Sequence, residues 1–349
     1  MKSTTYLDIH PKFKLNGHHL SKDDLYVVAY SYIKEGDDSE KHVGEFILDW
    51  LDEKSYIEMH TSGSTGIPKL IRVSKQSMVN SALASGAFFD LQYGSKILNC
   101  LPMKYVAGKM MFVRSFVLGL EMDFVPPSLH PLEKLEECYN FCAMVPLQAQ
   151  NSLSELHKIK KLIVGGAKIN AKLEKQLLRL NKTECYETFG MTETVSHIAA
   201  KKVGEKAFRL MPNITIETDD RNCLVIHAPL LIDEPIITND LVEIVNGNTF
   251  KFLGRLDNVI NSGGVKINPE EVEEKLIDKI NSRFMICGKP DLDLGEKVVL
   301  LIESEPFAIE NNIFDSLDKF EKPKEIHFVK QFKDSNNGKL LRRETLSLV

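Results

Sequence analysis

Thr61-Ser62-Gly63-Ser64-Thr65-Gly66-Ile67-Pro68-Lys69 is the stretch on which the reading of this chain turns. It gathers hydroxyls, two glycines and one cation directly after the strand-like Tyr56-Ile57-Glu58-Met59. Glycines let backbone N–H groups approach phosphate oxygens, Ser and Thr hydroxyls add donors, and Lys69 adds a point charge. The spacing is not that of a Walker loop, G-x-x-x-x-G-K-[ST], because Gly66 is followed by Ile67-Pro68-Lys69-Leu70. One reading is a phosphate loop of another kind; the other is a Ser/Gly surface turn between two strands. The rest of the chain has to decide between them.

The length of 349 residues fits one large domain plus a smaller one. A hydrophobic fraction of 43% beside 27% charged residues is ordinary for a globular protein, and a net charge of -5 gives no general reason to expect nucleic acid. The start, Met1-Lys2-Ser3-Thr4-Thr5-Tyr6-Leu7-Asp8, lacks the apolar core of a signal peptide. No later run approaches the roughly 18 apolar residues of a membrane span, so a cytoplasmic location is expected. The six cysteines show no CxxC pair and read as buried free thiols, although Cys138 and Cys142, four apart, could share a helix face.

Apolar spacing places two amphipathic helices before the loop, around residues 23–30 and 42–51. After it, Leu70-Ile71-Arg72-Val73 alternates like a strand, and Ser74 looks like the N-cap of a helix running towards Phe89. Lys96-Ile97-Leu98-Asn99 is a short strand. A mostly apolar helix follows from Lys109, interrupted by Arg114, which is either a surface arginine or a fork for a substrate carboxylate.

A βαβ rhythm continues through Phe141-Cys142-Ala143-Met144-Val145 and Lys161-Leu162-Ile163-Val164, the latter ending in Gly165-Gly166-Ala167 ahead of a helix over residues 171–180. In open α/β sheets ligands bind at such strand ends. Glu184-Cys185-Tyr186-Glu187-Thr188 then runs into Phe189-Gly190-Met191-Thr192-Glu193-Thr194, where an aromatic, a hydroxyl and a carboxylate suit base, phosphate and Mg2+. Thr192-Glu193 also reads as a helix cap and first turn. Short strands over residues 208–253 suggest a small antiparallel barrel or sheet, with Asp240 at the head of one strand. The polar, Gly-rich stretch after Gly254-Arg255-Leu256-Asp257, including Gly263 and Gly264, marks a domain boundary. The last part reads β-α-β, and its tail carries Gly338-Lys339 on a loop before a short helix.

In this order the motifs resemble the adenylate-forming superfamily of acyl-CoA synthetases, adenylation domains and luciferases. The resemblance spans about 280 residues, from the 61–69 loop through Gly165-Gly166-Ala167, Phe189-Gly190-Met191-Thr192-Glu193, Asp240 and Arg255 to Gly338-Lys339. Within it the chain is most similar to the o-succinylbenzoate-CoA ligases of menaquinone biosynthesis, through its compact size, the segment Gly190-Met191-Thr192-Glu193-Thr194-Val195-Ser196-His197-Ile198, and the helix carrying Arg114 after Val106-Ala107-Gly108. The implied fold is α/β: a large adenylate-forming-type domain over residues 1–254, truncated and carrying the small β-barrel, plus a small mobile α+β domain over residues 255–349.

The resemblance implies ATP, Mg2+ and coenzyme A as cofactor and co-substrates, with a small carboxylic acid as the other partner. No nucleic acid or membrane span is implied, and a homo-oligomer is admitted. Thr61, Ser62, Gly63, Ser64, Thr65, Gly66 and Lys69 would hold the β- and γ-phosphates, Thr192 the α-phosphate and Glu193 the metal. Phe189 and Gly165-Gly166-Ala167 would take adenine, Gly190 and Met191 would bind the nucleotide beside them, and Asp240 with Arg255 would take the ribose. Lys339 would stabilise developing charge, Arg114, Tyr105, Gly108 and Ser196 would line the acid pocket, Asp257 would be the hinge, and Gly263-Gly264 would help admit CoA. Three departures stand out: only about 60 residues precede the loop, Tyr105 stands where relatives carry His, and Asn239 stands where Gly usually precedes the Asp. A carrier-protein-loading enzyme, another acyl or aryl ligase, and an inactive nucleotide-binding regulator are the alternatives.

Overall fold

A computed structural model describes residues 4–60, 70–334 and 340–349. The phosphate-loop candidate at 61–69 and the Gly338-Lys339 pair lie outside the described residues. The chain divides into two compact units, residues 1–215 with 227–235, and residues 216–226 with 236–349.

In the first unit, β1 (Lys14–Leu15) and β2 (His18–His19) form a tight hairpin over Asn16 and Gly17, both at positive φ. That is the turn chemistry a two-residue hairpin requires. Helix α1 (Lys22–Glu35) opens on a capping box: Asp24 N–H donates to Ser21 Oγ, and Ser21 N–H donates back to the Asp24 carboxylate at 2.8 Å. Helix α2 (Asp38–Leu51) repeats the device with Asp37 and Glu40. Its buried residues Val43, Phe46, Ile47, Trp50 and Leu51 fall on one helical stripe.

Strands β3 (Tyr56–His60) and β4 (Leu70–Ser74) pair antiparallel on either side of residues 61–69. Ser74 caps α3 (Lys75–Phe89) by accepting from Ser77 N–H, as the sequence suggests. Then follow β5 (Lys96–Asn99), α4 (Val106–Leu118), β6 (Glu121–Phe124), β7 (Tyr139–Met144), α5 (Pro146–Asn151), β8 (Ile159–Val164), α6 (Ala171–Leu177), β9 (Glu184–Gly190), β10 (His197–Lys202) and β11 (Phe208–Leu210).

The sheet runs β11-β10-β9-β8-β7-β5-β6-β1-β2. From β9 to β1 neighbours are parallel, and β10, β11 and β2 are antiparallel additions at the ends. Parallel strands covered on both faces need continuous apolar runs. Leu98, Cys142 and Leu162 accordingly pack with Leu173 and Leu177 of α6. Elsewhere in the unit Phe112 of α4 meets Phe46 of α2 at 5.9 Å, and Phe116 meets Trp50 at 6.1 Å. Each buried ring of this kind contributes about 2–3 kcal/mol.

Cys138 and Cys142 do not share a helix: Cys142 lies in β7, 3.9 Å from Cys100 Sγ, and Cys138 is exposed just before that strand. The other five cysteines are buried free thiols. Among the described residues no helix is long and apolar enough to cross a membrane.

The second unit begins with the antiparallel strands β12 (Thr215–Thr218), β13 (Cys223–His227), β14 (Ile236–Asn246) and β15 (Thr249–Arg255), in that order. Strands β16 (Ile260–Ser262) and β17 (Val265–Ile267), helix α7 (Pro269–Leu276), strands β18 (Arg283–Asp291), β19 (Gly295–Glu303) and β20 (Glu325–Val329), and helix α8 (Arg342–Leu346) complete it. Strand β19 takes β18 antiparallel and β20 parallel, and Val272 and Leu276 of α7 pack with Ile286, Val298 and Leu300.

The boundary read from sequence at Gly254 and Arg255 falls inside this compact unit. Asn268 Nδ2 donates to Leu253 O at 2.7 Å, and a Cβ on Gly254 would meet Asn268 Oδ1 at 2.6 Å and Glu270 Oε2 at 2.7 Å. The four-stranded layer therefore packs directly on the start of α7. The polar Gly-rich stretch is no loose linker either: Gly263 and Gly264, at φ 58 and 82, make the two-residue turn between β16 and β17.

Candidate active site

Strands β8 and β9 end side by side, with Val164 opposite Glu187. Gly165 N–H donates to Met144 O at 3.1 Å, and a Cβ on Gly165 would lie 2.4 Å from Thr188 Oγ1. Gly166 sits at φ 83. The backbone at this strand end is therefore bare because side chains cannot fit or cannot follow it, which leaves room for a planar ligand. Phe189 is half-buried and rests against Phe208, ring centroids 5.7 Å apart.

Beyond Gly190 the chain makes a turn of 3₁₀ helix over Thr192–Thr194. Thr194 Oγ1 ties it, accepting from Met191 N–H at 3.0 Å and donating to Ser196 O at 2.8 Å. Val195 follows at φ 68, a costly conformation for a β-branched residue and one that clusters at functional sites. This turn leaves Thr192 half-buried and Glu193 exposed, and the Glu193 carboxylate pairs with no described residue. A hydroxyl and a carboxylate with no partner among the described residues stand next to each other, a donor set that suits a phosphate and a hard cation. Among the described residues no cluster of three or more His, Cys, Asp or Glu side chains that could hold a metal ion exists.

Arg114 is a buried cation of the first unit. It is 2% exposed on α4, and its Nη2 donates to Ser196 Oγ at 3.0 Å. Among the described residues its Nη1 reaches only Met111 Sδ at 3.7 Å, and its Nε has no partner. No carboxylate of a described residue pairs with it. Burial pulls its pKa down to about 10, which keeps it cationic at neutral pH. Ser196 Oγ in turn lies 3.4 Å from His197 Nδ1, and His197 Nε2 lies 3.0 Å from Ser85 Oγ on α3.

Two other predicted pocket residues sit at the start of α4. Tyr105 is its half-buried N-cap and makes no side-chain cap bond. Gly108 is buried against the preceding loop, where a Cβ would meet Pro102 O at 2.6 Å, and Asn99 Nδ2 holds its carbonyl at 3.1 Å. Its absent side chain is thus explained by close backbone packing.

In the second unit Asp240 is not at a strand head but midway along β14, opposite Arg255 of β15. It is 5% exposed, and Arg255 Nη1 donates to it at 3.0 Å. Arg255 Nη2 donates to Asp257 at 2.9 Å, and Asn239 Nδ2 donates to the other Asp257 oxygen at 3.0 Å. Burial opposes both charges. The pair still lifts the Arg255 pKa above its ordinary value and holds the Asp257 carboxyl below the usual carboxylate range. Asn239 does not stand in for glycine through its backbone, because its φ is not positive; it serves as a hydrogen-bond bridge between Arg221 and Asp257. Asp257 lies in a 3₁₀ turn over Leu256–Asn258, and Gly263 N–H donates to Leu294 O at 2.8 Å.

The sequence singled out Arg114 and Ser196, and the structure joins them. It gave no role to His197 or Ser85, whose partnership spans 112 positions. The only local signal was a histidine at the head of an apolar strand, which more often marks a satisfied core residue.

The family model described as AMP-binding enzyme matches residues 19–222. Among curated relatives, the 2-succinylbenzoate–CoA ligase of Haemophilus influenzae is 28% identical over 75% of this chain and 64% of its own length. That of Lactococcus lactis is 24% identical over 85% of this chain and 72% of its own. The chain thus spans about two thirds of the length of these relatives. Among solved structures, the acyl-CoA synthetase (AMP-forming)/AMP-acid ligase II-like protein of Dyadobacter fermentans matches with a TM-score of 0.63 and 33% identity, over 93% of this chain and 98% of that one. The o-succinylbenzoate coenzyme A synthetase of Bacillus subtilis, in complex with ATP and magnesium ion, matches in fold with a TM-score of 0.71 and 20% identity, over 83% and 69%.

Proposed function

The chain belongs to the AMP-binding enzyme family, and from that premise we propose that it is an ATP-dependent acid–thiol ligase that converts o-succinylbenzoate to its CoA thioester, a step of menaquinone biosynthesis. The substrate choice is carried by Arg114, a buried guanidinium that, among the described residues, has an unpartnered Nε and no carboxylate beside it. A buried charge without a counter-ion is costly, and a substrate with a second carboxylate, the one not adenylated, supplies the missing partner. A simple benzoate or fatty acid does not.

The chemistry follows from charge. A carboxylate is ionised and nucleophilic at neutral pH, so attack on the α-phosphorus of ATP needs no general base. It needs neutralisation and alignment. The carboxylate oxygen bonds to phosphorus as the bond to pyrophosphate breaks, and the CoA thiolate then attacks the acyl carbon and AMP leaves. Residues 61–69 are proposed to hold the β- and γ-phosphates and Thr192 the α-phosphate. Glu193 would bind Mg2+, which neutralises phosphate charge. Its carboxylate, exposed and paired with no described residue, fits that task.

Phe189 and the bare edge at Gly165-Gly166-Ala167 suit adenine, and Asp240 with Arg255 is proposed for ribose. Lys339 is proposed for the developing charge, Gly263-Gly264 for CoA, and Asp257 as the hinge of a mobile domain over residues 255–349, whose movement would have to break the Asn268–Leu253 contact that joins it to the preceding strands here. Incubation with ATP, Mg2+, CoA and o-succinylbenzoate should release AMP and pyrophosphate in equal amounts. Turnover on benzoate or a fatty acid but not on this acid would overturn the substrate. Transfer to a carrier protein but not to CoA would overturn the acceptor.

A further inference from the structure

We propose that Ser85 and His197 are positioning residues for the Arg114 anion site, forming a buried relay that decides whether the Ser196 hydroxyl turns its proton towards a bound carboxylate. The inference rests on the reading that Arg114 takes a second substrate carboxylate. The relay runs from Ser85 Oγ to His197 Nε2 at 3.0 Å, from His197 Nδ1 to Ser196 Oγ at 3.4 Å, and from Ser196 Oγ to Arg114 Nη2 at 3.0 Å. Ser85 is 1% exposed and His197 9%, with the imidazole packed edge-on against Phe89 at 5.7 Å. Burial first, and Arg114 second, hold the imidazole neutral by pushing its pKa well below the ordinary value.

A neutral imidazole offers one donor and one acceptor, whereas arginine only donates. Ser196 Oγ must therefore accept from Arg114, which leaves it one proton and one lone pair. When the imidazole proton is on Nε2 it is donated to Ser85 Oγ, and Nδ1 accepts the Ser196 proton. Both ring nitrogens and Ser196 are then paired, and the Ser196 proton is turned away from any ligand. When the imidazole proton is on Nδ1 it is donated to Ser196 Oγ, Nε2 accepts from the Ser85 hydroxyl, and the Ser196 proton is free for a ligand oxygen held by Arg114. With no ligand each arrangement leaves one serine proton without a partner among the described residues, that of Ser85 in the first and that of Ser196 in the second, and only the second serves an anion. Exchange moves one proton from one ring nitrogen to the other, with no change in net charge. An acid carrying a second carboxylate selects the Nδ1–H form, and an acid without one does not.

The test compares kcat/KM for o-succinylbenzoate with that for 4-oxo-4-phenylbutyrate, the same acid without its ring carboxylate. His197→Phe keeps the ring and removes both nitrogens. It should lower the ratio about ten-fold, through KM, by the loss of one hydrogen bond to a charged group. His197→Gln restores a donor and an acceptor and should keep the ratio within about three-fold of wild type. Ser85→Ala gives a milder version should the Phe variant fold poorly, and it should also lower the ratio. In nitrogen-15 spectra of the histidine rings, with the His197 signal assigned from the Gln variant, the diacid should move the proton from Nε2 to Nδ1. A wild type that prefers the diacid while His197→Phe and Ser85→Ala keep that preference overturns this inference alone. A wild type with no preference overturns the substrate reading with it.

Discussion

A Cβ placed on Gly190 would lie 2.4 Å from the carbonyl oxygen of Ser196 and 2.5 Å from His197 Cα, so these residues meet backbone to backbone beneath the turn that carries Thr192 and Glu193. Gly190→Ala has no flexible side chain to push aside there. It should cost about 2 kcal/mol of stability, as overpacking against a backbone does. It should also displace Thr192 and Glu193 and abolish ATP–pyrophosphate exchange. Urea unfolding and the exchange assay check the two effects separately, and exchange with an unchanged KM for ATP would refute the placement.

Arg114→Met separates stability from function. The wild-type protein keeps a buried guanidinium whose pKa is lowered to about 10 by burial alone. Replacing it with an apolar side chain of similar length removes that desolvation cost and should stabilise the substrate-free protein by about 1–3 kcal/mol. The same variant should lose its preference for o-succinylbenzoate over the acid without the second carboxylate. A variant less stable than wild type would mean that the guanidinium already has an anionic partner in the free protein.

Local chemistry was legible where it was self-contained. The capping serine at Ser74, the bare glycines after Val164 and the strand Glu325–Val329 could all be read from neighbours in sequence. Strand Arg283–Asp291 could not, because Gly288 and Pro290 interrupt its pattern, and only its nine-residue pairing with β19 makes it a strand. Asp240 looked like a strand head because Pro235 and the polar Thr238 and Asn239 hid the first half of β14. Arg114, Ser196, His197 and Ser85 come from α4, the β9–β10 turn, β10 and α3. No period in the sequence reports a contact of that kind.

The Gly263-Gly264 turn makes a conformational prediction. Both residues sit at positive φ, and nothing lies within 4 Å of a Cβ on Gly264. At Gly264 strain in the backbone, not crowding, should therefore decide what is tolerated, while a Cβ on Gly263 would meet the flexible end of the Leu294 side chain at 3.3 Å. Gly263→Asn suits the turn and should be near neutral, whereas Gly264→Val should cost about 1–2 kcal/mol. If the turn also helps admit CoA, Gly264→Val should slow thioester formation from supplied acyl-adenylate more than it slows adenylation, measured in single turnovers. Equal slowing would leave the turn a structural role only.

Lys339→Ala tests the division between half-reactions. A cation that stabilises charge developing at the α-phosphorus acts on the first step, and its loss should lower adenylation by about 10²–10³-fold. Thioester formation from supplied acyl-adenylate should be far less affected. An equal loss in both steps would contradict the assignment of Lys339 to the first.

The neutral state of His197 has a consequence for stability that can be read without any substrate. In the unfolded chain this imidazole titrates near its ordinary value of about 6.5. In the folded protein burial and Arg114 push its pKa well below that. Below about pH 6.5 the unfolded state therefore binds a proton that the folded state refuses, so stability falls as the pH drops and is fully present above the unfolded value. One proton gives a slope of at most about 1.4 kcal/mol per pH unit. His197→Gln removes the titrating group while keeping a donor and an acceptor. Urea unfolding at about pH 7.5 and about pH 5.5 should show the wild type losing on the order of 1 kcal/mol more than the variant over that interval. Parallel losses in the two proteins would mean that the folded protein protonates His197, and that the relay to Ser196 begins from an imidazolium that can only donate.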